Sequence, residues 1–503
     1  MNTIGGAVDA SGVEGASDGT RSLIPARLDR LPWTRFHSMM IVALGITWVL
    51  DGIEISVAGN VASRWTSPAV FHVSTATAAA SASWYLAGEV VGALFFGKLA
   101  DLLGRRKLFL VTVGLYMVAN ALTAVAWTWP LLIGFRVLAG MGIGGEYAAI
   151  NSAIDELVPA KHRGVTDLCV NGTYWLGAAI GAGITIPLLS SMLPANVGWR
   201  IAFLLGPVVV LAIIGMRRRL PESPRWLLTH GHFEEAERVT AGLEERARAE
   251  GHSLETVSPD RGLTIKPREK VTYREITRIM IRKYPGRSLL ALTLFVTQSF
   301  LYNAIFFTYS LLLHKYYHIP ASSTGYYFFF FAAGNLAGPF VLGRFFDSVG
   351  RKQMITLTYV SSGILLAMTG YLFKMGVLTA LTQTALWSVI FFIASAAASS
   401  AYLTSSEIFP VELRSQAISY FFAIGQLVGG VAAPAFFGAL IGSGSRSAVF
   451  VGYLAGAALM IAGGVVEAVL GVAAERRSLE DVAAPLAALH AVGGKMGPSP
   501  RAA

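Results

Sequence analysis

Six ionisable residues stand inside long apolar stretches of this chain: Asp51, Glu54, Glu89, Arg136, Glu146 and Glu467. A charge held in hydrocarbon costs roughly 2.5–3.5 kcal/mol on insertion scales, so such residues face a water-filled path or a partner of opposite sign. Asp51 and Glu54 are three apart and share one helix face. Counted from the ends of their stretches at about 1.5 Å per residue, they and Arg136 fall in the middle to outer part of a membrane. A carboxylate salt-bridged to Arg136 stays charged, and separating the pair lets it take a proton. That arrangement is a workable proton switch; the plainer alternative is a static ion pair holding two helices together.

A second set has the chemistry of recognition. Gln298, Tyr302, Phe306 and Tyr309 recur on one helical face with Asn303 beside it, and Asn171, Tyr174 and Trp175 lie together in another stretch. Aromatic stripes usually serve packing, but a buried amide needs hydrogen-bond partners that a polar ligand can supply. An aromatic-lined cavity with Arg136 as its one internal cation suits a small organic anion, aromatic ones included.

The elements that must position these residues follow from composition. With 503 residues, 54% hydrophobic and 14% charged, the chain has too little polar surface for a soluble globule. Stretches of roughly 20 apolar residues, enough to span about 30 Å of hydrocarbon, run Phe36–Val61, Ala78–Ala100, Leu108–Trp127, Pro130–Asn151, Leu168–Leu189, Trp199–Met216, Leu289–Leu313, Tyr326–Phe346, Met354–Phe373, Leu378–Tyr402, Ala417–Leu440 and Ala448–Val472. The expected fold is an all-α membrane protein of twelve transmembrane helices in two six-helix bundles. The boundary near Trp127 and Pro130 is the softest. If the N-terminus is cytoplasmic, only Arg64, Arg200, Lys315, Lys374 and Arg446 of the 40 Lys and Arg fall outside, apart from Arg136 within a helix. Basic residues are retained inside, so both ends are expected in the cytoplasm.

The net charge of +10 then reflects topology and anionic lipid, with no nucleic-acid partner implied. The expected divisions are a disordered tail (1–32), a first bundle (33–216), a cytoplasmic loop with surface helices (217–287), a second bundle (288–474) and a C-terminal tail (475–503). Within the loop, Phe233 to Ala249 alternates acids and bases at helical spacing, as a solvated surface helix does. The start of the chain is rich in Gly, Ser and Asp and has no signal-peptide core. One cysteine, Cys169, excludes an intramolecular disulfide and reads as a small buried hydrophobe.

Two motifs recur at nearly equal separation. GKLADLLGRRK (Gly97 to Lys107) returns as GRFFDSVGRK (Gly343 to Lys352), and ELVPAKHR (Glu156 to Arg163) as EIFPVELR (Glu407 to Arg414), as duplication of a six-helix unit would give. Short basic loops anchor topology, and the same residues are candidates for an inside gate: Gly97, Asp101, Gly104, Arg105 and Arg106; Asp347, Gly350 and Arg351; and Glu156, Arg163, Glu407 and Arg414. Asp101 can neutralise Arg105, and Glu156 with Arg163 and Glu407 with Arg414 are expected to bridge the halves. Gly140 and Gly144, four apart, are expected to let a neighbouring helix approach closely.

From about Trp33 to Asp481 the chain resembles the major facilitator superfamily. Gly97, Leu99, Asp101, Gly104, Arg105, Arg106 and Lys107 match its G-x-L-a-D-x-x-G-R-R-k hallmark. PESPRWL (Pro221 to Leu227), RVLAGMGIGGE (Arg136 to Glu146) and SEIFP (Ser406 to Pro410) are similar to the branch of sugar porters and metabolite or aromatic-acid proton symporters. The resemblance implies a 6+6 bundle working by alternating access around a central cavity. It places an acid–arginine couple at Glu54 and Arg136, and it implies substrate contacts at Asn171, Gln298, Asn303 and Tyr402. Asn171 stands where sugar porters carry glutamine and Tyr402 where they carry a sugar-stacking tryptophan, departures that argue against an ordinary hexose carrier. DGIE (Asp51 to Glu54) is similar to the D-G-x-D of the aromatic-acid and metabolite symporters.

The expected function is proton-coupled symport of a small metabolite, an organic or aromatic acid favoured, by a monomer in a bacterial cytoplasmic membrane, without metal or cofactor. A sugar or polyol symporter, a drug/proton antiporter, an uncoupled uniporter and a transporter-like ligand sensor stay open. No Ser-His-Asp group, metal cluster or nucleotide-binding loop speaks for an enzyme or an ATP-driven pump.

Overall fold

The computed structural model describes residues 14–16, 19–189, 193–218, 220–266, 272–306, 308–319 and 324–488. A short helix α1 (Ile24–Asp29) precedes six long ones: α2 (Arg35–Trp65), α3 (Thr75–Leu103), α4 (Arg105–Val125), α5 (Trp129–Leu157), α6 (Arg163–Leu188) and α7 (Gly198–Arg218). The loop between the halves holds α8 (Pro224–Thr229), α9 (Phe233–Ala249) and α10 (Tyr273–Arg282). The second half comprises α11 (Pro285–Phe306), α12 (Tyr309–Tyr317), α13 (Thr324–Ser348), α14 (Arg351–Lys374), α15 (Ala380–Glu407), α16 (Arg414–Gln426), a π-helical turn (Leu427–Ala432), α17 (Ala433–Gly442) and α18 (Arg446–Leu470), and α19 (Leu479–Val482) follows. Strands β1 (Glu14–Ala16), β2 (Gly19–Ser22) and β3 (Leu263–Ile265) form a small antiparallel sheet in that order.

Eight described helices are long and apolar enough to cross a membrane alone: α2, α4, α5, α11, α13, α14, α15 and α18. The other crossings are α3, α6, α7 and the α16–α17 unit. Polar residues aimed inward lower the hydropathy of α3 and α6, where Glu89, Asp101 and Asp167 are buried, and the π turn interrupts α16–α17. The soft boundary of the sequence falls at residues 126–128, between α4 and α5. The seventh span, expected continuous, ends at Phe306 and restarts at Tyr309.

Helix starts are capped as sequence chemistry predicts: Ser74, Thr379 and Ser445 each accept the backbone N–H three residues on. Gly104 (φ 90°) and Gly350 (φ 128°) turn the chain between α3 and α4 and between α13 and α14. Both occupy a backbone region that side chains rarely adopt, at the same place in each repeat. Close helix contacts explain other glycines. A Cβ at Gly140 or Gly144 would strike the backbone of Tyr85 or Glu89, so α5 lies directly on α3. The halves meet where α3 packs on α16 and α6 on α13. Gly97 serves the first contact, its missing Cβ making room for Ser419.

Two expectations need correction. Residues 19–32 of the predicted disordered tail are built into the fold: Ile24, Leu28 and Leu31 are buried, and β2 pairs with β3 of the central loop. Residues 1–13 lie outside the described ones. The central loop is likewise no free linker. Helix α9 spans the predicted Phe233–Ala249, and Arg27 bridges its Glu237 (2.6 Å) and Glu244 (2.9 Å). At the other end Lys266 N–H donates to the Ala487 carbonyl (2.7 Å), and Glu412 accepts the N–H groups of Leu486 and Ala487. Tail, loop and C-terminal segment thus form one cap over the face of the bundle that carries the chain ends.

Candidate functional site

Between the halves lies a cavity of about 140 Å3. Helices α2, α3, α5 and α6 supply Trp48, Asp51, Glu89, Tyr147, Asn171, Tyr174 and Trp175; α11, α15 and α16 supply Gln298, Ser299, Tyr302, Asn303, Tyr402 and Gln426. The walls are aromatic. Trp48 stacks on Tyr147 at 4.3 Å between centroids, with Tyr402 edge-on at 5.3 Å, and Trp175 meets the rings of Tyr302 and Phe306 at 5.9 and 5.7 Å. Amides interrupt them. Asn171 Nδ2 donates to the Asp167 carbonyl (2.9 Å) and Asn151 Oδ1 (3.2 Å), which leaves its own oxygen without a donor. Gln298 finds no hydrogen-bond partner among the described residues. These are the groups a polar ligand would satisfy.

Seven of the eight predicted contact residues, Asn171, Tyr174, Trp175, Gln298, Tyr302, Asn303 and Tyr402, line this cavity. Tyr309 does not. It opens the next described helix, α12, where its ring packs on Trp387 and Phe331 and its hydroxyl meets Thr384 (3.2 Å).

The predicted acids divide. Asp51 faces the cavity and accepts hydrogen bonds from Tyr85 (2.8 Å) and Tyr147. Glu54, three residues on, points behind the wall and is salt-bridged to Arg136, with Tyr116 also donating to it (3.4 Å). Arg136 is fully buried, its guanidinium over the rings of Tyr85 (4.5 Å) and Phe203 (5.5 Å). The expectation of a cavity cation therefore fails, because Arg136 is not in the lining; the charged lining residues are Asp51 and Glu89. Glu146 is held by Thr47 (2.5 Å) and Thr112 (3.1 Å) and ties α5 to α2 and α4. Glu467 is buried in α18, away from the cavity.

On the face of the chain ends, two ion clusters bridge the halves in matching fashion. Glu156 is met by Arg105 of its own half (2.9 Å) and Arg414 of the other (3.3 Å). Glu407 is met by Arg351 of its own half (3.0 Å) and Arg163 of the other (3.8 Å). The four residues expected to bridge the halves do so, and the pairing is crossed between the motifs, Glu156 with Arg414 and Glu407 with Arg163. Asp101 and Asp347 each contact their i+4 arginine, at 3.3 and 2.6 Å, and Asp347 also accepts the N–H groups of Gly164 (3.2 Å) and Val165 (2.8 Å) at the start of α6. Arg106 lies at the edge and donates to the Arg218 carbonyl (3.2 Å).

Sequence reasoning passed over several of these groups. Glu89 was visible as a membrane charge without a role, and Gln426 as a lone amide in an apolar span. Arg225, within PESPRWL, holds Asp29 (2.9 Å), Glu480 (2.7 Å) and the Glu156 carbonyl (2.5 Å), so it joins the cap to the gate. Glu222 of the same motif accepts the first N–H groups of α4.

Comparison with known proteins agrees with this layout. A family model described as sugar (and other) transporter matches residues 38–484. The niacin transporter NiaP of Acinetobacter baylyi is 24% identical over 423 residues, 81% of this chain and 88% of that protein. The inner membrane metabolite transport protein YgcS of Escherichia coli is 32% identical over 215 residues, 43% of this chain and 47% of that one. The structure of the proton:xylose symporter XylE bound to 6-bromo-6-deoxy-D-glucose aligns with a TM-score of 0.72 at 17% identity, over 89% of this chain and 98% of that one. Matched across nearly its whole membrane region, the chain belongs to the sugar-porter type of the major facilitator superfamily and is a membrane transporter, not an enzyme.

Proposed function

We propose that this transporter is a proton-coupled symporter of a small, single-ring organic acid, working by alternating access in a bacterial cytoplasmic membrane. The chain ends lie on the cytoplasmic side, and the monomer is the working unit. One observation carries the reading: the charged groups lining the aromatic cavity are Asp51 and Glu89, with the Glu54–Arg136 pair directly behind them. An anion cannot settle beside two ionised carboxyls in a site of low dielectric, so those acids must be neutralised first. Proton and anion then favour each other's binding, by the same factor in both directions. The cavity, about 140 Å3, is on the scale that accepts one benzene-sized ring, roughly 150 Å3. The niacin carrier among the relatives transports a compound of that description.

The acidic lining also favours a second reading. A cationic cargo would compete with protons for the same carboxyls, and the result would be drug/proton exchange.

Proteoliposomes loaded at one pH and diluted into another separate the two. Symport predicts that labelled nicotinate, or another ring acid from a panel, accumulates toward the alkaline interior. Exchange predicts that organic cations accumulate toward the acidic interior, and neither would be expected of a ligand sensor. Uptake of sugars alone would remove the acid reading.

A further inference from the structure

We infer that Asp51 and Glu89 hold one proton between them, and that Gln426, reaching across from the other half, ties that proton to the α11 wall of the cavity. The inference rests on the proton-coupled reading above. Both acids are buried, at 2% and 1% exposure. Asp51 has one oxygen bonded to Tyr85 (2.8 Å) and the other to Tyr147. Glu89 Oε2 accepts from Gln426 Nε2 (3.4 Å), its Oε1 is buried with no donor among the described residues, and its carboxyl meets that of Asp51 in the same cavity wall. A shared proton satisfies that orphan oxygen and leaves the pair with a single negative charge. Two bare carboxylates at this approach would repel.

The remaining charged and titratable groups around Glu89 are placed to support this state. Tyr85 of its own helix and Tyr147 of α5 donate to Asp51. Tyr174 of α6 and Tyr402 of α15 face the pair. Glu54 of α2 is taken up by Arg136 of α5.

Gln426 uses both ends of its amide. Its oxygen accepts from Ser299 (2.8 Å) and Asn303 (3.4 Å) while its nitrogen serves Glu89. A second proton on Glu89 Oε2 needs an acceptor, and the Gln426 oxygen can supply it only by turning over, which takes the acceptor away from Ser299 and Asn303. The π turn begins at the next residue, and its Gly429 rests on Ser299. Such turns are frequent where a helix serves a site. Protonation on one half thereby resets the hydrogen-bonding face that the other half presents to cargo.

Infrared pH titration of the purified full chain reads this without a ligand. A shared proton predicts that Glu89→Gln moves the titration midpoint of the remaining Asp51 by about one pH unit or more, and that Asp51→Asn does the same to Glu89. Gln426→Leu should move the midpoint of the pair by about half a unit or more, the worth of one hydrogen bond. Ser299→Ala provides the milder second test of the tie. Midpoints unmoved by Glu89→Gln and Asp51→Asn would show independent acids and overturn the inference. Midpoints unmoved by both Gln426→Leu and Ser299→Ala would remove the link between halves. If the titrations behave as stated but liposomes show no pH-driven uptake, the proton pair stands and the symport reading falls.

Discussion

The two halves of this transporter match each other at the gate and differ in the cavity. On the face of the chain ends, Gly104 and Gly350 make the same turn, Arg105 and Arg351 meet the same glutamate of their own half, and each glutamate reaches the arginine of the other half's motif. In the cavity, the charged residues Asp51 and Glu89 belong to the first half, while the second offers the neutral Gln298, Ser299, Tyr302, Asn303 and Gln426. Closing a gate needs equal grips from both bundles. Binding a proton needs one acid site, and recognition of cargo can be left to the facing wall.

Removing Arg136 should break this division most severely. Glu54 would be left as a buried charge without its cation, a cost of about 3–5 kcal/mol. Arg136→Ala should therefore lower the thermal unfolding midpoint in detergent well below that of any second-half cavity substitution. The double change with Glu54→Gln, which removes the orphaned charge, should recover much of it.

A sharper contrast separates coupling from affinity. Glu54→Gln and Asp51→Asn should reduce accumulation driven by an imposed pH gradient to simple equilibration. Gln298→Ala should instead weaken cargo binding by about tenfold, near the upper range of one hydrogen bond, and leave the dependence on the gradient intact. Uptake in a pH-jump assay with varied cargo concentration resolves the two effects. A Gln298 variant that lost gradient dependence at saturating cargo would place coupling in both halves.

Symmetry at the gate is testable by pairs. Glu156→Gln and Glu407→Gln should open the closed face to a similar degree, read as labelling of cysteines introduced beneath the gate. The aspartates should not behave alike. Asp347 caps α6 through two backbone N–H groups, whereas Asp101 is met by the side chains of Arg105 and Ser415 and caps no helix among the described residues. Asp347→Asn should cost about 1–2 kcal/mol more than Asp101→Asn.

How far the sequence reaches depends on whether a residue's partner is local or distant. The spans, the duplicated unit and helix α9 rest on periodicity and composition within one stretch, and they are legible. The residues of the ion clusters between the halves are also legible, because motif residues repeat. Their crossed pairing is not, since it depends on how two bundles face each other. Gly97 reads as the small first residue of the basic motif, but that it makes room for Ser419 of the opposite half is not legible. Tyr309 shows the same limit: it shares a helical face with Gln298 and Tyr302 by spacing alone, whereas it opens the separate helix α12 and packs on Trp387 and Phe331. Arg136 was read as a cavity cation because its depth can be counted along the helix, whereas its direction is set by Glu54 and Tyr85. The N-terminal tail was read as disordered because Gly, Ser and Asp dominate its start. The few apolar residues that anchor it, Ile24, Leu28 and Leu31, gain their value only against the central loop.

That tail adds a last and smaller asymmetry, since its clamp exists on the first half alone. Burial pushes the Glu244 carboxyl up, but hydrogen bonds from Arg27 and Arg30 outweigh it and hold the group below the usual glutamate range. A depressed carboxyl contributes its stabilisation above its unfolded value, about 4.3, and loses it as pH falls through the lower folded value. The clamp should accordingly be intact at neutral pH and loosen only in acid. Hydrogen exchange at residues 24–31 should be slow at pH 7 and, once corrected for the intrinsic rate, faster below pH 4. Arg27→Ala should give the fast behaviour at both, because Glu244 then keeps only Arg30 and the outlying Arg248 (3.9 Å), neither replacing its bond to the tail's Arg27, while Glu237 loses its Arg27 bridge. Exchange in the cavity helices should not change with Arg27→Ala at pH 7, since that substitution does not act on the contacts that join α3 to α16 or α6 to α13.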